Sequence, residues 1–205
     1  MQTRIFLVRH GQTEWNVHHR LQGHKNSPLT TEGKNQAHQT QHALQEMTFH
    51  RAYVSPLQRA RQTLDIIVSG KKIEIIPTEG LKEIRLGVWE GKTREETKKS
   101  HPEQYVNFWH QQEKFVLQGA ETFQQLQARV VHELDVIFYN NRGKNILVVS
   151  HWIAIKVALT HYLSLPLRKL SSIADPGNGS FLVLEQDKDN KVTLKADPEQ
   201  IFIPR

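Results

Sequence analysis

Two short runs of uninterrupted apolar residues, Ile5-Phe6-Leu7-Val8 and Ile146-Leu147-Val148-Val149, read as buried strands. Both are rich in β-branched side chains. Continuity rather than alternation marks strands covered on both faces, as in a parallel sheet. Each run gives way at once to polar residues and then to a helical pattern. Ala52-Tyr53-Val54 and Ile73-Glu74-Ile75-Ile76 predict two further strands. Phe181-Leu182-Val183-Leu184 and Val192-Thr193-Leu194 predict a final pair, separated by the polar turn at residues 186–190.

Between the strands the apolar period lengthens to three and four. Phe123, Leu126, Val130, Leu134, Ile137 and Phe138 form one stripe and predict a helix over 121–139. Another helix is expected after His151, through Ile155 and Leu159. Ser55-Pro56 reads as an N-cap followed by proline at the first helical position, with the helix running towards Ser69-Gly70. Thr93 and Glu96 have the spacing of a capping box. This alternation predicts an α/β fold, a three-layer sandwich with a mostly parallel central sheet flanked by helices. Residues 80–120, which include Pro102, read as a small helical insertion over one end of the sheet. No repeat or linker divides the chain, so one domain over 1–205 is expected.

Composition narrows the chemistry further. There is no cysteine, which excludes disulfides, thiolate metal sites and a cysteine nucleophile. No stretch approaches the ~20 apolar residues that span a bilayer. The first residues carry too short an apolar run for a secretory signal. A cytoplasmic location and no membrane partner are therefore expected. The net charge of +6 suits an anionic ligand. Even the densest basic patch, residues 92–99, is interrupted by Glu95 and Glu96 and reads as a solvated helix face. No nucleic-acid partner is expected from it, and no heptad or apolar patch specifies an oligomer.

In open α/β sheets ligands bind beyond the carboxyl ends of the strands, near a topological switch point. Both buried runs end in a histidine there, Val8-Arg9-His10-Gly11 and Val149-Ser150-His151. Ser55, and the helix carrying Arg59, leave a third strand at the same end. Cleaving a phosphomonoester without a metal calls for this set of groups. Guanidinium groups neutralise the phosphoryl oxygens in bidentate fashion. An oriented imidazole attacks phosphorus, and a carboxylic acid protonates the departing alkoxide.

Arg9-His10-Gly11-Gln12-Thr13-Glu14-Trp15-Asn16 resembles the R-H-G-x-[ST]-x-x-N signature of the histidine phosphatase superfamily, which includes phosphoglycerate mutases and many small phosphatases. The likeness continues in order through Ser27-Pro28-Leu29-Thr30-Thr31-Glu32-Gly33, Ser55-Pro56-Leu57-Gln58-Arg59-Ala60-Arg61-Gln62-Thr63, the segment 81–91 and Val149-Ser150-His151. Ordered blocks across most of the chain are far more specific than a single motif. The resemblance implies a phosphoglycerate mutase-like fold and a phosphoric monoester hydrolase that needs no metal and no cofactor. It implies that His10 is the phosphorylated nucleophile and that Arg9 and Arg59 bind the phosphoryl oxygens. It gives His151 the part of stabilising the transferring group, and Glu83 that of proton donor and then base. Asn16, Gln22 and Gly23 are expected to contact a small phosphorylated metabolite.

Two positions depart from the family pattern. Trp152 follows the second histidine where glycine is common, and is expected to turn into the substrate pocket or the core. Arg85 stands where relatives often carry an acidic or small polar residue, and inside the pocket it would favour a further anionic group. Other readings are weaker. Glu79 and Glu90 compete with Glu83 as the acid. His38 and His42, at i and i+4, lack a third ligand and read as exposed polar residues. His18 and His19 flank the substrate entrance at most, and Arg61 reads as surface. Phe108, Trp109 and Phe115 read as insertion core rather than a base-stacking platform. The compact Trp89–Glu96 segment favours a phosphatase over a mutase. The remaining alternative is a non-enzymatic anion- or nucleic-acid-binding module on the same fold.

Overall fold

The two apolar runs lie side by side near the centre of a six-stranded sheet. In the computed structural model, which describes residues 2–195, the strands are β1 (Thr3–Arg9), β2 (Arg51–Val54), β3 (Glu74–Pro77), β4 (Asn145–Ser150), β5 (Phe181–Gln186) and β6 (Val192–Leu194). Met1 and residues 196–205, part of the domain expected over 1–205, lie outside the described residues. The order is β3-β2-β4-β1-β5-β6. The first four strands in that order are parallel, while β5 and β6 pair antiparallel. A mostly parallel sheet is therefore what forms.

The unbroken apolar runs are explained by cover on both faces. Successive strand residues point to opposite sides. Ile5, Leu7, Ile146 and Val148 enter one core, and Phe6, Val8, Leu147 and Val149 enter the other. The helices are α1 (Glu14–Val17), α2 (Thr31–Ala43), α3 (Gln58–Ile67), α4 (Arg94–Ser100), α5 (Pro102–His110), α6 (Phe123–Asn140) and α7 (Trp152–Tyr162). The first core is closed by α6 and α7, through Leu126, Val130, Leu134, Phe138, Ala154 and Ala158. The second is closed by α3, through Ala60, Leu64 and Ile67, with Leu44 at the end of α2. Three layers result. No helix among the described residues is long and apolar enough to cross a membrane.

Capping chemistry sets several boundaries. Thr93 and Glu96 form the expected capping box at the start of α4. Thr122 and Gln125 form a second one that starts α6. Pro102 opens α5 at the position where a missing N–H costs nothing. The expected cap at Ser55 is not made. Leu57 is the N-cap of α3, without a side-chain bond. The Ser55 hydroxyl accepts the Leu57 N–H at 3.4 Å and lies 2.7 Å from Nε2 of His151, so it serves a long-range partner as well as the local turn.

The insertion has its own aromatic centre. Trp89, Phe108, Phe115 and Phe123 are buried together, with neighbouring ring centroids 5.1–5.8 Å apart. Phe108 and Phe115 are thus core, as expected. Trp109 differs: it is half-buried, and its ring meets Trp152 at 5.8 Å.

Candidate active site

Strand register brings the two histidines together. In the β1–β4 ladder Arg9 faces Ser150, so His10 and His151 leave the sheet as neighbours. Their ring centroids are 5.1 Å apart. The next strand, β2, ends opposite Val149 and delivers Ser55 to the same edge. Gly11 then lets the chain pass under α2, since a Cβ there would stand 2.3 Å from the Gly33 carbonyl oxygen. Its small size serves backbone packing.

His10 is 3% exposed and held at both nitrogens. Nδ1 lies 2.7 Å from the Gly11 carbonyl, which can only accept, so this nitrogen carries the proton. Nε2 accepts the Nε–H of Arg59 at 3.3 Å and therefore keeps its lone pair. Burial, then the charges of Arg59 and Arg9, hold the His10 imidazole well below its usual value. A neutral ring with a free Nε2 lone pair follows. His151 is fully buried and its proton affinity is lowered in the same way, by burial and by Arg59. Its Nε2 meets Ser55, while its Nδ1 has no partner among the described residues.

Arg59 is fully buried and donates Nη1 to the Lys25 carbonyl and Nη2 to the Gly23 carbonyl, each at 2.8 Å. Arg9 donates Nη1 to the Pro176 carbonyl at 2.7 Å, and its buried Nε has no partner among the described residues. Burial lowers both guanidinium groups to about 10, with Glu83 acting against that shift. Two desolvated guanidinium groups, facing Glu83 with Asp175 and Glu90 further contributors, make a site for an anion.

Glu83 reaches this cavity from the loop at the start of the insertion. Its Oε1 accepts the N–H groups of Ile84 and Ala154, and its Oε2 that of Ile153, at 2.9–3.1 Å. The N-terminus of α7, with its exposed amides, thus holds the carboxylate. The competing acids sit elsewhere. Glu79 is exposed beside Lys82, and Glu90 accepts from the amides of His24 and Leu86.

Arg9, His10, Arg59 and Glu83 line a cavity of about 210 Å³, while His151 packs against the His10 ring and is not part of that lining. Asn16, Gln22, Gly23 and Trp152 line it too. Thr13 ties two of them together, its hydroxyl donating to Asn16 Oδ1 at 3.0 Å and accepting from Gln22 Nε2 at 2.8 Å. His19 lines the cavity. His18 is exposed, as are His38, His42 and Arg61. Among the described residues no three His, Asp or Glu side chains gather to hold a metal ion. Arg85 does not enter the cavity. It is exposed, its segment pairing with Ala120 and Glu121 instead.

Three contributors were not foreseen. Arg94, read as part of a solvated face, lines the cavity with its Cζ 4.4 Å from the Trp109 ring centroid. Asp175 also lines it and accepts the indole N–H of Trp152 at 3.0 Å. Asn178 donates to the His10 carbonyl at 3.1 Å. The one signal for the last two is the turn-rich run Asp175-Pro176-Gly177-Asn178-Gly179 ahead of β5.

The model of the histidine phosphatase superfamily (branch 1) matches residues 5–197. The chain belongs to this superfamily, and it is a phosphoric monoester hydrolase. It is 29% identical to phosphoserine phosphatase 1 of Hydrogenobacter thermophilus over 192 residues, covering 94% of this chain and 90% of that protein. Over 166 residues it is 33% identical to GpmB of Escherichia coli, named a probable phosphoglycerate mutase, covering 79% and 75%. The solved structure of Bacillus stearothermophilus YhfR superposes with a TM-score of 0.92 at 31% identity, covering 95% and 96%.

Proposed function

We propose that the protein hydrolyses small phosphomonoesters through a phosphohistidine formed on Nε2 of His10, without a metal. The observation that carries this reading is the pair of bonds on the His10 ring. Gly11 fixes the proton on Nδ1, and Arg59 touches the lone pair of Nε2. Attack forms the N–P bond as the ester P–O bond breaks. The Arg59 Nε–H then passes from the ring to a phosphoryl oxygen, and Arg9 and His151 take the others. Among the described residues the Ser55 hydroxyl meets no acceptor besides Nε2 of His151. It donates there, leaving Nδ1–H of His151 for the phosphoryl group.

Glu83 supplies the proton to the departing oxygen. Its Oε1 is occupied by two backbone N–H bonds and Oε2 by one. A carboxyl group has about four lone-pair sites, so Oε2 is where the proton is carried. In the second half, Glu83 takes a proton from water, the hydroxide oxygen bonds to phosphorus, and the N–P bond breaks. The protonated acid and the neutral imidazole are restored. Asn16 and Gln22 contact the phosphoryl group or its ester oxygen. The likeness to a phosphoserine phosphatase supports a small phosphorylated metabolite as substrate.

The test is a panel of phosphomonoesters with wild type and His10→Ala, with and without chelator. Phosphate release that survives chelation and vanishes in the variant is expected, with a phosphoryl adduct trapped on His10 by acid-sensitive labelling. Release from the variant at the wild-type rate would refute the mechanism. The likeness to GpmB supports a second reading, phosphoryl transfer between positions of phosphoglycerate. Interconversion of 3-phosphoglycerate that outpaces phosphate release would select it.

A further inference from the structure

A chamber of about 600 Å³ adjoins the catalytic cavity. The two share Arg94, Phe108, Trp152, Ile153 and Asp175 along their boundary. Beyond it the chamber is walled by Tyr105, Trp109, Phe123 and Ile173. Trp152 stands between the two spaces, with Arg9 5.9 Å from its ring centroid on the catalytic side. Trp109 faces it at 5.8 Å, the ring planes 38° apart.

This wall is fixed in place. The indole N–H of Trp152 donates to Asp175 Oδ1, and the same oxygen pairs with Nζ of Lys156. The Lys156 side chain is only 4% exposed, so breaking that pair would strand a buried charge. A pre-formed aromatic chamber opening on phosphoryl chemistry receives whatever the phosphoryl group is attached to. A short alkyl alcohol would leave the indole surfaces wet. A planar ring would cover them, with the offset or edge-on packing that aromatic pairs favour.

The geometry points to this chamber as the leaving-group subsite for phosphomonoesters whose alcohol carries a planar aromatic ring. Trp109 and Trp152 are the specificity-determining residues, and Asp175 is the positioning residue that holds Trp152. The inference rests on the phosphatase reading above and names its substrate class.

Phenethyl phosphate and ethyl phosphate test it, because their alcohols depart with similar difficulty and differ in the ring. Wild type is expected to favour phenethyl phosphate by about tenfold or more in kcat/KM. Trp109→Leu and Trp152→Leu each lower that ratio by about threefold or more, through KM, and Trp152→Phe restores it. No preference in the wild type overturns the inference, and so do Leu variants that slow both esters equally. Phenethylphosphonate and ethylphosphonate, as competitive inhibitors of the wild type, repeat the comparison without any variant. Equal inhibition constants overturn the subsite. If neither ester releases phosphate in a His10-dependent manner, the phosphatase reading fails, while the phosphonate comparison still decides the chamber.

Discussion

Arg59 sits with its Nε 3.3 Å from Nε2 of His10, while its other two nitrogens are anchored on the carbonyls of Lys25 and Gly23. One guanidinium therefore ties down the backbone at Gly23 and Lys25 and faces Nε2 of His10, the atom proposed to attack phosphorus. Because Gly23 and Lys25 hold the group from behind, the donor beside His10 is aimed before any substrate arrives. Preorganised donors of this kind act without reorganisation at the moment of reaction.

Arg59→Lys keeps the charge and loses the fork. Lysine offers one nitrogen where three separate contacts are made. The expected result is a loss of about 10²–10³ in kcat, with unfolding in denaturant easier by about 1–3 kcal/mol because a buried carbonyl loses its donor. Steady-state kinetics and a urea titration measure the two effects. A variant within twofold of wild type in kcat would remove Arg59 from phosphoryl stabilisation.

Glu83→Gln separates proton donation from binding. The loss is expected to depend on the leaving group: about 10²–10⁴ in kcat for an alkyl phosphate, and little for p-nitrophenyl phosphate, whose phenolate departs unprotonated. The amide also turns N–H groups towards the Ile153 amide, which now donates to Oε2, so a modest drop in melting temperature accompanies it. Equal losses on both esters would assign Glu83 to holding the start of α7 alone.

Much of this arrangement is legible in the sequence because it follows from local rules. Apolar continuity in Ile5–Val8 and Ile146–Val149 marks doubly covered strands, and parallel register then carries the residues after them to one place. The Thr93 cap and the α6 stripe are contained in a few neighbouring residues. What was missed depends on distant partners. Ser55 has the chemistry of a cap, yet its partner His151 is 96 positions away. Arg9 and Pro176 are 167 apart. Arg85 and Arg94 are both exposed cations, and only the folded insertion places Arg94 beside the cavity and Arg85 away from it.

Ser55→Ala tests that distant pair. The hydroxyl orients the His151 ring and selects its tautomer. Without it the ring is free to place its proton on either nitrogen, and about tenfold of kcat is expected to be lost with KM little changed. Because Ser55 is not among the residues lining the cavity, a rise in KM at constant kcat would contradict this positioning part. Ser55→Thr, which keeps the hydroxyl, is expected to recover most of the rate.

His10 and His151 make stability depend on pH in a definite direction. Both are neutral and buried, with proton affinity lowered below the usual 6.5 by burial first and by Arg59 second. In the unfolded chain each regains an ordinary imidazole and binds a proton as pH falls through about 6.5. Between that value and the lower folded value, the unfolded state binds more protons, so stability declines as the solution becomes more acidic. Above it both states are neutral at these positions, and the contribution no longer changes. Each histidine is expected to supply a slope of up to about 1.4 kcal/mol per pH unit on the acid side. Urea unfolding at a series of pH values measures it, and His151→Asn is expected to lower the slope by about that of one proton. The same titration bears on catalysis, since protonating Nε2 of His10 removes the nucleophilic lone pair. The acid limb of kcat/KM is expected well below pH 6.5, and an acid limb centred at or above that value would contradict the neutral, buried nucleophile.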